Sequence, residues 1–245
     1  MAKKKKAVRS NEERILRVWD IETIKDLMSR RTIYEAQEQH AQELEDLWVQ
    51  LPEHQATASF GKNWGYYVGM EEIRRYYVTE YEARVRQELK EIGKPEAPSG
   101  YGRFLFHPLS TPNVTLAEDG KTAQGTWYSI GTDCYPLVDG KADCTWNCQK
   151  ICADFVKEPG GWKIWHVIFS NDFINKTGHS VGEIQSIYIR GTGRDEIDFG
   201  TPTIPMLAHD PSYTWCDNYP PLNNPYETFT EALSYGPEGH PNYDA

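Results

Sequence analysis

From residue 101 onward the chain is a succession of β-branched and aromatic segments punctuated by glycine turns, and this pattern limits the fold more than any other feature. RFLFHPL, NVTLAE, TAQGTWYSIGTDCY, CTWNCQKICADFVKE and WKIWHVIFSNDF have the composition of strands. Between them stand EDGK (118–121), VDGK (138–141) and EPGG (158–161), which have turn chemistry. Three such turns between long strands predict an antiparallel meander.

The preceding half reads differently. Ile15, Leu16, Val18, Trp19, Ile21, Ile24, Leu27, Met28, Tyr34, Leu44, Leu47 and Trp48 fall mostly three or four apart, the mark of amphipathic helix over 11–49. The polar step Glu35–Glu43 marks a joint between two helices, and Pro52 ends the block. ATASFG (56–61) reads as a strand, KNWG as a turn carrying Trp64, and GYYVG as the lead into a helix over 70–93. Gly93, with Pro95 beyond, is its stop signal. Helices first and sheet afterwards predict an α+β fold: a curved antiparallel sheet wrapped around the N-terminal helices, a cone with a pocket at its mouth. Residues 1–10 read as a disordered basic tail and 11–175 as the cone domain. Residues 176–245, rich in Pro, Gly, Asn and Tyr, read as an extended arm lying on its own domain or on a second subunit.

Charge narrows the function. The formal net charge is −10, and the first ten residues hold five of the 26 Lys and Arg and no acid, so the rest is more acidic still. An acidic body excludes nucleic acid, which needs a basic footprint. No apolar run is long enough to span a membrane. The basic start leads into no apolar signal core, which predicts a cytoplasmic chain. The 8 Trp and 15 Tyr suit a pocket for a flat organic substrate or a large subunit interface. Five cysteines is an odd number for a disulfide framework. Cys144, Cys148 and Cys152 would share one strand face at steps of about 13 Å, too far apart for one metal, and read as small reduced residues. The seven histidines are dispersed and no phosphate-binding glycine motif is present, so neither a metal nor another cofactor is predicted.

DIETIKDLMSRRTIYEAQEQHAQELEDLW, then TASFGKNWGYYVGMEEIRRYY, His107, NVTLAEDGKTAQGTWY and finally ICADFVKEPGGWKIWHVIFSNDF follow one another in an order that resembles the SnoaL-like, nuclear-transport-factor-2-like superfamily. The resemblance covers about residues 15–175. The superfamily is a scaffold rather than a function. It includes polyketide cyclases, scytalone and bile-acid dehydratases, steroid isomerases, lyases of diaryl compounds and non-catalytic binding modules. The resemblance implies enzyme chemistry, usually without a cofactor, but does not choose the reaction; the first expectation is a lyase acting by acid/base catalysis on a bulky hydrophobic oxygenated substrate, by dehydration or by carbon–carbon cleavage releasing a small aldehyde. An isomerase or cyclase in the same pocket, or a binding module, stays open beside it. A homodimer is implied too, because sheets of this fold usually pair by their convex faces.

Such chemistry needs a base and an oxygen-directed donor in a dry pocket. Tyr34 stands where dehydratases of the fold place a tyrosine, and Glu38, one turn on, could take a proton. Gln37 and His40 compete with it, because the family's aspartate in this region is absent. His107 matches a cavity-facing histidine of several dehydratases and has suitable acid/base chemistry. His166 and Asn171 lie five apart on the last strand, on opposite faces unless a bulge intervenes. Asn171 matches a substrate-binding polar position, and His166 could pair with His107. Asp133 is a further option. Trp64, Tyr66, Trp127 and Tyr128 are candidates for the pocket wall, and Arg31 and Arg103 for binding a carboxylate or phenolate.

Overall fold

A computed structural model of the chain describes residues 9–137, 140–178, 201–206, 220–241 and 243. Most of the basic tail, the first half of the VDGK turn and large parts of the C-terminal arm, including Tyr213, Trp215 and Tyr219, lie outside the described residues. The order is α1 (Asn11–Ala36), α2 (His40–Leu47), α3 (Pro52–Thr57), β1 (Ser59–Lys62), β2 (Gly65–Val68), α4 (Met70–Arg74), a π-helical turn (Arg75–Glu80), α5 (Tyr81–Glu91), β3 (Phe104–Phe106), β4 (Ser110–Leu116), β5 (Thr122–Pro136), β6 (Ala142–Glu158), β7 (Gly161–Lys176) and β8 (Ile204–Pro205). The fold is α+β.

Ser10 starts α1 with a capping box: its hydroxyl accepts from Glu13 N at 3.1 Å, and Glu13 accepts from Ser10 N at 2.7 Å. Ile24, Leu27, Met28 and Arg31 form the buried face of α1. Ile15, Leu16, Val18 and Trp19 stay exposed, so the first turns of α1 add no core. The chain then reverses at Glu38, whose φ is 55°, and α2 returns. Pro52 does not simply end the helical block. It occupies the first turn of a new short helix, where its missing N–H costs nothing. The strand expected over 56–61 therefore begins only at Ser59.

The sheet runs β3-β5-β6-β7-β1-β2-β8, with β4 also pairing β5. All pairs are antiparallel except β1 with β7, which makes the sheet mixed and leaves it unclosed. Register shifts at Ser110/Asn113, Cys148/Gln149 and Asp154/Phe155 insert extra residues and bend the strands. The concave face buries Ile151, Ala153, Phe155, Val167 and Phe169 against Ile24, Met28, Leu44, Trp48 and Ile73 from the helices. Each of the larger aliphatic and Phe side chains contributes roughly 2 kcal/mol by leaving water.

One cysteine expectation is overturned. Cys134 and Cys144 face each other across β5 and β6 with Cα atoms 4.1 Å apart, and they form a disulfide. Cys148 and Cys152 are the free cysteines among the described residues, and no group of metal-ligating side chains occurs among them. The pairing escaped sequence reading because Cys134 becomes Cys144's neighbour only through the β5–β6 register. No helix among the described residues is long and apolar enough to cross a membrane.

Candidate active site

Helices and sheet diverge at one end and leave a cavity of about 130 Å3 on the concave side. Glu35 (α1) and His40 (α2) form one wall. Tyr76, Tyr77 and Glu80 enter from the π-helical turn, with Tyr81 and Arg84 from α5. Phe60, Lys62 and Trp64 come from β1 and its turn, Leu105 and His107 from β3 and its end, Asp133 and Tyr135 from β5, Asn147 and Gln149 from β6, and Asn171 and Ile174 from β7.

His107 sits just past β3, buried, opposite Gly131 of β5. Its Nε2 lies 2.7 Å from Asp133 Oδ1, and its Nδ1 lies 3.0 Å from Gln149 Nε2. Gln149 donating to Nδ1 leaves the proton of the neutral ring on Nε2, where it is donated to Asp133. Asn147 Nδ2 donates to the other carboxylate oxygen of Asp133 at 3.2 Å. Burial opposes charge on His107, but the hydrogen bond to Asp133 and the nearby Glu35 outweigh it and raise its pKa above 6.5. His107 and Asp133 therefore form a hydrogen-bonded pair on adjacent strands, with one face open to the cavity.

A second polar cluster backs the wall. Arg31 is buried between two carboxylates: NH1 donates to Glu35 at 3.0 Å, and Nε lies 3.3 Å from Glu43. Arg31 also donates to Tyr77 Oη at 3.2 Å, and Tyr77 donates to Glu43 at 2.9 Å. Burial pushes both carboxyls upward. At Glu35 the Arg31 charge wins and holds the pKa at about 2; at Glu43 burial wins and raises it to about 7. His40 packs between the Tyr77 and Tyr81 rings with neither nitrogen hydrogen-bonded, and burial lowers its pKa to about 4. It is a neutral wall residue at pH 7.

Among the residues singled out from the sequence, the cavity collects His40, His107, Asn171, Trp64 and Asp133. Tyr34 is not among the lining residues: it sits on the flank of α1 and donates to Asp46 at 2.6 Å. Its neighbour Glu35, on the face that carries Arg31, takes the place expected for it. Glu38 stands behind the wall, accepting from Tyr81 Oη at 3.1 Å and lying 3.6 Å from Arg103. Arg103 is itself paired with Glu88, so neither it nor Arg31 is open to an anion. His166 lies on the opposite face of β7, bound to Asp154 at 2.9 Å and stacked on Trp165, and so cannot pair with His107. Tyr66 belongs to a separate cluster with Cys152, Ile168 and Tyr235. Trp127 is core and Tyr128 is exposed on the other face. Lys62, Asn147 and Gln149 were missed, although alternation along β1 from Phe60 placed Lys62 on the inner face.

A family model described as a SnoaL-like domain matches residues 16–168. The search of curated proteins returned no match. Among solved structures, an NTF2-like protein with a cystatin-like fold from Novosphingobium aromaticivorans is 16% identical, covering 70% of this chain and 90% of its own, with a TM-score of 0.46. A proposed dehydratase of the NTF2-like family from Streptomyces avermitilis is 17% identical, covering 62% and 96%, with a TM-score of 0.47. The hexachlorocyclohexane dehydrochlorinase LinA-type3 from Novosphingobium barchaimii is 13% identical, covering 70% and 97%, with a TM-score of 0.45.

Proposed function

The chain belongs to the SnoaL-like domain family, and we propose that it is a lyase working by acid/base chemistry of its own side chains on a hydrophobic, oxygenated aromatic or polycyclic substrate. The pair of buried His107 and half-buried Asp133 in an aromatic-walled cavity carries this reading. Asp133, held by His107 and Asn147, accepts a proton from substrate carbon or hydroxyl. His107 keeps its Nε2–H on Asp133 and orients that carboxylate, and Asp133 then returns the proton. In a dehydration the C–H electrons form the new double bond and the proton leaves with hydroxide as water. In a carbon–carbon cleavage the O–H electrons form the aldehyde carbonyl, and the proton goes to the carbon left behind. Phe60, Tyr76, Tyr77 and Trp64 exclude water and hold a ring.

The test is incubation of purified protein with phenolic diol and hydroxysteroid panels, read by mass spectrometry for loss of water or of formaldehyde. Turnover should fall about 10²- to 10⁴-fold in His107→Asn and in Asp133→Asn. No turnover by the wild type across both panels would sink the lyase reading. Deuterium uptake without mass loss would move the reaction to isomerisation.

A further inference from the structure

We propose that Lys62 is the substrate-anchoring residue of the cavity, and that the substrate carries an anionic oxygen, phenolate or carboxylate, which its ammonium receives. The proposal rests on the catalytic reading of the same cavity and names the substrate's charge. Lys62 follows Phe60 by two on β1 and shares its inner face. Its Nζ lies over the rings of Phe60 and Phe169, 5.1 and 4.5 Å from their centroids. Among the described residues, no carboxylate lies within 4.0 Å of it and no hydrogen bond uses it. The other charges facing the cavity are engaged: Glu35 with Arg31, Asp133 with His107, Glu80 with Arg75, Arg84 near Glu88. An ammonium that faces the cavity across ring faces, with no protein oxygen in reach, is short of an oxygen partner.

Two features say what that partner is. The ammonium is walled by aromatic side chains, which take a flat ring rather than a hydrated ion. Burial also lowers the Lys62 pKa to about 8, only partly opposed by Glu35. A bound anion supplies what the site lacks, so binding and protonation of Lys62 reinforce one another.

The probes are cinnamate and 4-nitrophenolate, each against a neutral counterpart, cinnamamide and 4-nitroanisole, titrated calorimetrically into the full-length protein. The wild type should bind at least one anion about ten-fold more tightly than its neutral counterpart. Which anion shows the preference separates a carboxylate from a phenolate substrate. Lys62→Met should abolish the preference while leaving neutral binding within about two-fold, and Lys62→Arg should keep it. In the wild type the cinnamate preference should fade as pH rises past about 8, a measurement that needs no variant to fold. Equal binding of anionic and neutral probes by the wild type, or a preference that survives in Lys62→Met, would overturn the proposal. Anion preference without turnover would sink the lyase reading alone, and turnover without anion preference would sink this one alone.

Discussion

A methyl group at position 131 would overlap the His107 imidazole and lie 2.5 Å from the Phe106 carbonyl oxygen. Glycine is required there because the end of β3 presses the His107 ring against the backbone of β5. That contact aims Nε2 at Asp133 and leaves Nδ1 for Gln149. Gly131→Ala should therefore destabilise the fold by about 1–3 kcal/mol and break the pair. Histidine titration by NMR would read it: the His107 pKa should fall from its raised value toward or below 6.5, because burial would then act without Asp133. The linkage has a definite sign. A histidine whose folded pKa is raised adds stability that is fully present below pH 6.5 and is lost as pH rises through the folded pKa. Wild type and Gly131→Ala should accordingly differ most in stability at acid pH and less above it. An unshifted His107 in the variant would show that the close approach does not position the ring.

Helices α1 and α2 are clasped by one guanidinium serving two carboxylates, and the clasp sets the back wall of the cavity. Glu43 is the partner that loses. Its pKa of about 7 against 4.5 in the unfolded chain means the folded state holds an extra proton between those values. Stability from this group is greatest below pH 4.5 and falls as pH rises to 7, by up to about 3 kcal/mol. Glu43→Gln removes the dependence, so its urea midpoint should gain on the wild type across that window. A constant difference between the two would contradict the assignment. At this scale the sequence was partly legible. The spacing of Ile24, Leu27, Met28 and Arg31 marks the inner face of α1, and the same face reaches Glu35. Tyr34 falls beside that face, where Asp46 of α2 captures it, and only the return angle of α2 decides this. The π-helical turn that carries Tyr76, Tyr77 and Glu80 leaves no trace in a period of 3.6. Asp133 could be suspected but not paired, because β3 reaches β5 by a contact that skips β4.

The two faces of the sheet do different work in the whole molecule, and the arm belongs to the convex one. Asp154 accepts from Tyr235 N at 2.7 Å, Ser234 Oγ at 3.1 Å and Gln124 Nε2 at 2.8 Å, with His166 at 2.9 Å. Phe229 closes over Trp165 and His166, and Tyr226 meets Thr122. Residues 220–241 thus cover one end of the convex face on their own domain, while Phe104, Phe106, Tyr128 and Ile130 remain exposed at the other. The cavity opens on the opposite side of the same strands, with His107, Asp133 and Lys62 all on the inner face. Stability and the geometry of the cavity are therefore separable by truncation. A chain ending at residue 219 loses the burial of Tyr235 and Tyr226 and strands the fully buried Asp154 carboxylate without two of its donors. Stability should fall on the order of 3 kcal/mol or more. The His166 resonances should shift strongly as the Phe229 ring leaves, while His107 should keep its raised pKa. Thermal unfolding and histidine NMR on the truncated chain would check both. A His107 that titrates differently once the arm is gone would mean that the convex cover also holds the cavity face in shape.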